Sequence, residues 1–146
     1  MNESVIGRLD RLFDESPILR AVETPNLDEI DDASLELGVA FPASYREFLQ
    51  RYGGAMVGPY PIFGLRPVHV FDDNHWSVVD VTHEYRNAGI PEISRWVVFS
   101  LDHAGNPIGF DDAGQIWLFD HDFDGVTLLN SDFDAYINAS LDADGI

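Results

Sequence analysis

The chain has 146 residues, 45% of them hydrophobic, and its 26 acidic residues against 8 basic ones give a formal net charge of −18. It contains no Cys, which excludes a disulfide-stapled scaffold, a thiolate metal site and a cysteine nucleophile. All the basic residues are Arg and none follows Arg95, so the surface is expected to repel nucleic acid and anionic membranes.

Two amphipathic helices are predicted before residue 40. In the first, the apolar residues of segment 5–13 recur at helical spacing. Arg and acidic residues interrupt this segment, so it does not resemble a secretory signal, and a cytoplasmic location is expected. Asn26 is placed to cap the second helix, which Gly38 would end in the left-handed conformation.

A third helix has the clearest pattern. Pro42 suits its first turn, Gly53-Gly54 suits its end, and its apolar residues repeat at i, i+3, i+4 and i+7. The repeat comprises Tyr45, Phe48, Leu49 and Tyr52. We therefore expect one face of this helix to lie in the core.

The middle of the chain gives weaker patterns. Residues 55–62 are rich in Gly and Pro and are predicted as a loop, and apolar runs at 62–65 and 68–71 are predicted as short strands. Over residues 76–88 the apolar spacing fits either a helix or a strand. We predict a helix, because a Gly and a Pro follow it and provide an ending.

An antiparallel meander is predicted in the last third of the chain. Short apolar runs are separated by an Asp-His-Ala-Gly and an Asp-Asp-Ala-Gly turn, in which Gly105 and Gly114 stand where positive φ is needed. The runs are 96–101, 106–111, 115–120 and 126–129.

A final helix is predicted after Asp132, which can cap it, with Phe133 on its buried face. Helices followed by strands and a closing helix indicate the α+β class. We expect a single domain over residues 1–146, with an antiparallel sheet of about five to six short strands and flanking helices.

Several short motifs, in order along residues 27–141, resemble the SUKH superfamily. They include a helix ending in Leu-Gly, an apolar-Pro step, a Tyr/Phe-Leu helix, a Gly-Gly loop and a Gly-Asn turn. The residues that carry these motifs are Leu37, Gly38, Pro42, Tyr45, Phe48, Leu49, Gly53, Gly54, Trp76, Gly105, Asn106 and Phe133. Two positions depart from the pattern: Phe41 replaces the usual Leu, and Tyr52 replaces the usual Asn. Both substitutions keep the apolar step and the glycine stop.

The resemblance implies an SUKH-like fold and a role in binding another protein. Members of this superfamily include immunity proteins that neutralise secreted toxins, often nucleases, and a yeast regulator of cell-wall assembly. The leading hypothesis is therefore a non-enzymatic immunity protein that covers a basic toxin. A regulatory scaffold like the yeast relative is the alternative, and an enzyme is the third. A monomer is favoured, although the oligomeric state is left open.

A candidate partner-binding surface follows from the acidic residues in predicted loops, because such charge can steer a basic partner. Acids that merely confer solubility are the alternative. Trp117 is added as an aromatic anchor, whereas Trp76 and Trp96 are expected in the core. The candidate residues are Asp72, Asp73, Asp111, Asp112, Trp117, Asp120, Asp122 and Asp124.

No catalytic residue, cofactor or metal site is predicted. The run from Asp120 to Gly125 matches the first half of a calcium loop, but Ser131 stands where the bidentate Glu is needed. The sequence has no G-x-S-x-G nucleophile elbow, no H-E-x-x-H pair and no Lys for a phosphate loop. An acidic hairpin loop is therefore expected at 120–125.

Overall fold

A computed structural model describes residues 1–72, 75–123 and 125–146. In these ranges the chain forms five α-helices, a two-stranded sheet and a four-stranded sheet, both antiparallel. The helices are α1 (Glu3–Glu15), α2 (Leu27–Leu37), α3 (Ala43–Tyr52), α4 (Val78–Asn87) and α5 (Phe133–Ala143). The strands are β1 (Ala55–Val57), β2 (Tyr60–Ile62), β3 (Val97–Leu101), β4 (Pro107–Phe110), β5 (Ile116–Asp120) and β6 (Gly125–Asn130). The predicted α+β class is confirmed, with the six strands divided between two sheets.

The helix ends follow the polar residues that the sequence provides. Asn26 forms a reciprocal capping box with Glu29 at the start of α2, and Gly38 ends that helix with a φ of 71°. The Asp132 side chain accepts the Ala135 N–H at the start of α5. Ser77 caps α4, so this helix begins after Trp76 and not at it.

The centre of the core is the face of α3 that carries the predicted repeat. Tyr45 and Phe48 are fully buried, and both of their rings contact the ring of Phe133 from α5. The Tyr45 hydroxyl donates a hydrogen bond of 2.7 Å to the Phe63 carbonyl, which satisfies the one polar atom that this ring buries. Burial raises the pKa of Tyr45 well above its usual value. The predicted core face of this helix is confirmed.

The larger sheet is a meander in which β3, β4, β5 and β6 lie in sequence order. Helix α4 covers the β3 edge, where the Thr82 hydroxyl oxygen accepts the Val98 N–H at 2.9 Å. The opposite edge is β6, and among the described residues no strand pairs with its outer side. The sheet therefore has one protected and one open edge.

Two predictions for the middle of the chain are wrong. The predicted loop at 55–62 contains the hairpin of β1 and β2, because Gly58, with a φ of 65°, allows a tight turn between Val57 and Tyr60. Apart from Ile62, which ends β2, the residues predicted as strands at 62–65 and 68–71 form no strand. Their apolar side chains are largely buried, but their backbone groups form isolated hydrogen bonds and no ladder, as when Phe63 N–H donates to the Phe99 carbonyl of β3 and Leu65 N–H to the Gly53 carbonyl. Burial against the core therefore gave this segment an apolar pattern without regular strand pairing.

Candidate protein interface

The meander contains two hairpin turns of the same design. In the first, Asp102 Oδ1 accepts the N–H groups of Ala104 and Asn106, both at 2.9 Å. In the second, Asp111 Oδ1 accepts the N–H groups of Ala113 and Gln115, again at 2.9 Å. Each turn is completed by a glycine, Gly105 or Gly114, with a φ of 79°. The aspartates therefore hold the turns through their own side chains.

The second oxygen of each aspartate has a different partner. Asp102 Oδ2 accepts the Asn106 side-chain N–H at 3.0 Å, whereas Asp111 Oδ2 accepts the indole N–H of Trp117 at 2.9 Å. Asp111 is thus a fixed, half-buried carboxylate that also orients Trp117.

Asn106 joins the first turn to the loop after β5. It is 5% exposed, and its Oδ1 accepts the His121 N–H at 3.0 Å and also contacts His121 Nδ1. Beneath this turn, the Tyr85 hydroxyl donates to the Gly105 carbonyl at 2.9 Å, and burial raises the pKa of Tyr85. The Gly-Asn motif therefore locks two loops together at one end of the sheet.

The described part of the β5–β6 loop displays acids and an aromatic ring. Asp120 Oδ1 accepts the Asp122 N–H at 3.0 Å, which shapes a turn, and the Asp122 side chain is exposed. The neighbouring Phe123 is 83% exposed. Strands precede and follow this loop, as predicted, in place of the helices that flank a calcium loop. Among the described residues, no group of three or more acids or histidines is arranged to hold a metal ion.

The outer face of β5 and β6 carries a shallow groove of about 270 Å³. Trp117 lies on the strand face opposite Ile116 and Leu118, as predicted, and is half-buried. The groove is lined by Glu92, Trp96, Asp111, Trp117 and Val126. Leu128, the cross-strand neighbour of Trp117, is 47% exposed.

The structure separates the predicted partner-binding residues into groups. Asp111 and Asp112 belong to the turn between β4 and β5 and Trp117 lies near the start of β5, whereas Asp120 and Asp122 lie at the other end of β5. Four residue steps of about 3.3 Å put these two ends roughly 13 Å apart along the strand. Because both ends flank the groove face, they bound one elongated surface.

The remaining predicted residues lie elsewhere. Asp72 lines an apolar pocket of about 250 Å³ beside Leu101, next to the first hairpin turn. Asp73 and Asp124 lie outside the described residues. Trp96 is 6% exposed, as expected for a core residue, whereas Trp76 is half-buried.

Three exposed apolar residues of this surface were missed by the sequence analysis: Phe123, Val126 and Leu128. Val126 is 44% exposed, so β6 is apolar on a side that faces solvent. The available signal was a strand with apolar residues at alternate positions and no charge in residues 125–130. The sequence does not tell which face of such a strand is covered.

The charge around the surface is mainly negative, although Arg86 and Arg95 line a neighbouring groove together with Asp112. In the described parts of the chain after residue 95, acids and histidines are the only titratable side chains apart from Tyr136, which is buried. Among the helices of the described residues, none is both long enough and apolar enough to cross a membrane. The surface is therefore acidic at its rim and apolar at its centre, a combination found at protein interfaces.

Comparison with known families gives one match. The family model described as SMI1 / KNR4 family (SUKH-1) matches residues 24–139. This range extends from the residues before α2 into α5, so it includes both sheets and the surface described above. The comparison with curated proteins gives no match. The match confirms the resemblance inferred from the sequence motifs.

Proposed function

The chain belongs to the SMI1 / KNR4 family (SUKH-1), and on that premise we propose that it is an immunity protein. It would bind a basic secreted toxin, with a nuclease as the first candidate, and neutralise it by covering its active surface. The protein would act in the cytoplasm, stoichiometrically and without catalysis.

The observation that carries this proposal is the exposed apolar patch on β6 and the loop before it. Phe123 is 83% exposed, and Val126 and Leu128 are 44% and 47% exposed. Single exposed apolar residues are common, and Val22 and Leu35 are further examples in this chain. The patch differs from them because it adjoins a groove lined by two tryptophans and is bounded by acids.

The two properties of this surface would have separate roles. The acids attract a basic partner over long range and raise the association rate. The apolar and aromatic side chains lose water on contact and slow dissociation. On a nuclease, the carboxylates would occupy the positions where its Arg and Lys otherwise contact phosphates.

Neutralisation of a toxin tests the proposal directly. The protein is co-expressed in a bacterial host with the toxic domain encoded beside its gene, and growth and a purified one-to-one complex are measured. We expect growth to be restored by the wild type and lost with a Phe123→Ser, Leu128→Ser double variant. Val22→Ser with Leu35→Ser is the matched control, because it replaces two exposed apolar residues outside the patch.

The outcomes distinguish the two candidate functions. Rescue by the control and failure of the patch variant, with both proteins folded, support an immunity role for this surface. Absence of any toxin-encoding neighbour, together with binding to a non-toxic partner, would favour the regulatory scaffold instead.

A further inference from the structure

The groove on the outer face of the meander combines three kinds of chemistry in one place. It is lined by the half-buried indole of Trp117, by Trp96, which is only 6% exposed, by the carboxylates of Glu92 and Asp111, and by the aliphatic side chain of Val126. Flat aromatic faces attract a cation placed over them, and nearby carboxylates add hydrogen-bond acceptors and charge.

Both indoles are held in position before any ligand arrives. Trp117 donates its N–H to Asp111, which is fixed by two backbone N–H groups. Trp96 lies over β4 at Gly109, where an added Cβ would stand 3.2 Å from the ring atom Cε3 and 2.7 Å from the Val97 carbonyl oxygen. Because Gly109 is also the cross-strand neighbour of Trp117, it leaves room for both indoles on this face.

The acceptors of the groove have unused capacity. The Asp111 carboxylate accepts three hydrogen bonds, which leaves one of its roughly four lone-pair directions. Glu92 is exposed. The arginine salt bridges found among the described residues involve neither Glu92 nor Asp111. Arg86 and Arg95 line the neighbouring groove around Gly38.

We infer that this groove binds the guanidinium group of an arginine side chain that the partner protein supplies. A guanidinium is flat, so it can stack on an indole while its N–H groups point at carboxylates in its plane. An ammonium group lacks this shape. The inference rests on the proposed function for the source of the arginine, but the groove can be tested without the partner.

The test is an NMR titration of the full chain, in which the indole N–H signals of its 3 tryptophans are followed. The probe is arginine blocked at both ends, and blocked citrulline is its uncharged analogue of the same shape. We expect the Trp117 signal to move saturably, with a dissociation constant on the order of 1 mM, as is reasonable for one side chain. Blocked lysine should bind at least about threefold more weakly, and citrulline should cause no saturable shift.

A pair of charge-matched variants locates the site. Glu92→Gln should weaken arginine binding by roughly threefold to tenfold, whereas Glu15→Gln, an exposed glutamate on α1, should leave it unchanged. If both variants lose the same affinity for arginine, the loss is due to net charge alone, and the inference is overturned. Equal binding of citrulline, or no saturation at about 100 mM arginine, would overturn it as well.

These outcomes are separate from those of the toxin experiment. Arginine binding without toxin neutralisation would leave the groove assigned and the immunity role rejected. Neutralisation without arginine binding would reject the groove alone.

Discussion

Asp111 shows how a residue that looks like surface charge in the sequence can be a structural element. Its carboxylate accepts two turn N–H groups and the Trp117 indole N–H. Asp112, one position later, is exposed and is the freer charge. Of two adjacent acids in a predicted acidic loop, one therefore builds the surface and the other remains available to a partner.

Substitution of Asp111 should therefore affect folding. We expect Asp111→Ala to lower the free energy of unfolding by about 2 kcal/mol, because three donors lose a charged acceptor. Asp111→Asn should cost about 1 kcal/mol, since its carbonyl oxygen can still hold the turn while the Trp117 bond is lost. Denaturant unfolding measures both, with Asp112→Ala as the control that should change stability by less than about 0.5 kcal/mol. A similar effect at both positions would mean that the turn does not depend on Asp111.

At the scale of elements, α3 was predictable because several signals agree on it. Its apolar period, its proline start and its glycine end all indicate the same helix, and the structure places it from Ala43 to Tyr52. The turns of the meander were predictable for a similar reason, since each pairs an Asp with a Gly at a fixed distance.

Other elements depend on contacts that are distant in sequence. The β1–β2 hairpin is only three residues long on each side, too short for an alternation pattern to be visible. The segment after β2 is apolar because it covers the core, as Phe63 and Val68 do, while its backbone forms only isolated hydrogen bonds to β3 and to loops. The exposed side of β6 follows from which side of the sheet the helices cover. None of these features is encoded locally, which is why the groove was not found from the sequence.

The central position of α3 gives a stability prediction. Phe48 is fully buried against the rings of Tyr52 and Phe133. Phe48→Ala should lower the free energy of unfolding by roughly 3–5 kcal/mol, because it removes apolar contact and leaves a cavity. Gln50→Ala on the exposed side of the same helix should cost little. Denaturant melts that show less than about 1 kcal/mol of loss for Phe48→Ala would contradict the central role of this helix.

At the scale of the whole molecule, the chain separates a dense core from an acidic exterior. Formal net charge is −18, yet the large buried side chains are aromatic or aliphatic. Such a charge keeps the protein soluble and favours encounters with basic molecules, without specifying a reaction.

The proposed role without catalysis leads to a biochemical prediction. Highly purified protein, assayed with ester, phosphodiester and glycoside substrates in the presence of Mg²⁺, Ca²⁺ or Zn²⁺, should show no turnover above the blank. This expectation follows from the absence of nucleophile, phosphate-loop and metal motifs in the sequence. Turnover that a single substitution abolishes would show that the protein is an enzyme.

The last prediction concerns the contribution of the acidic rim to binding. Asp112 and Asp122 lie in the two loops that bound the groove face and Asp120 ends β5 beside the second loop; Asn at position 120 can still accept the turn hydrogen bond. Replacing all three by Asn should therefore preserve the fold. It should slow association with a cognate basic toxin by roughly threefold to tenfold, because fewer charges attract the partner before contact. The dependence of the association rate on salt should also flatten, since this attraction is screened over about 8 Å at physiological ionic strength.

The matched control replaces Asp14, Glu15 and Asp32, exposed acids on α1 and α2, by their amides and removes the same charge. Stopped-flow measurements at several salt concentrations compare the two variants. If the control slows association as much as the rim variant, the attraction arises from net charge, and the meander does not direct the approach of the partner.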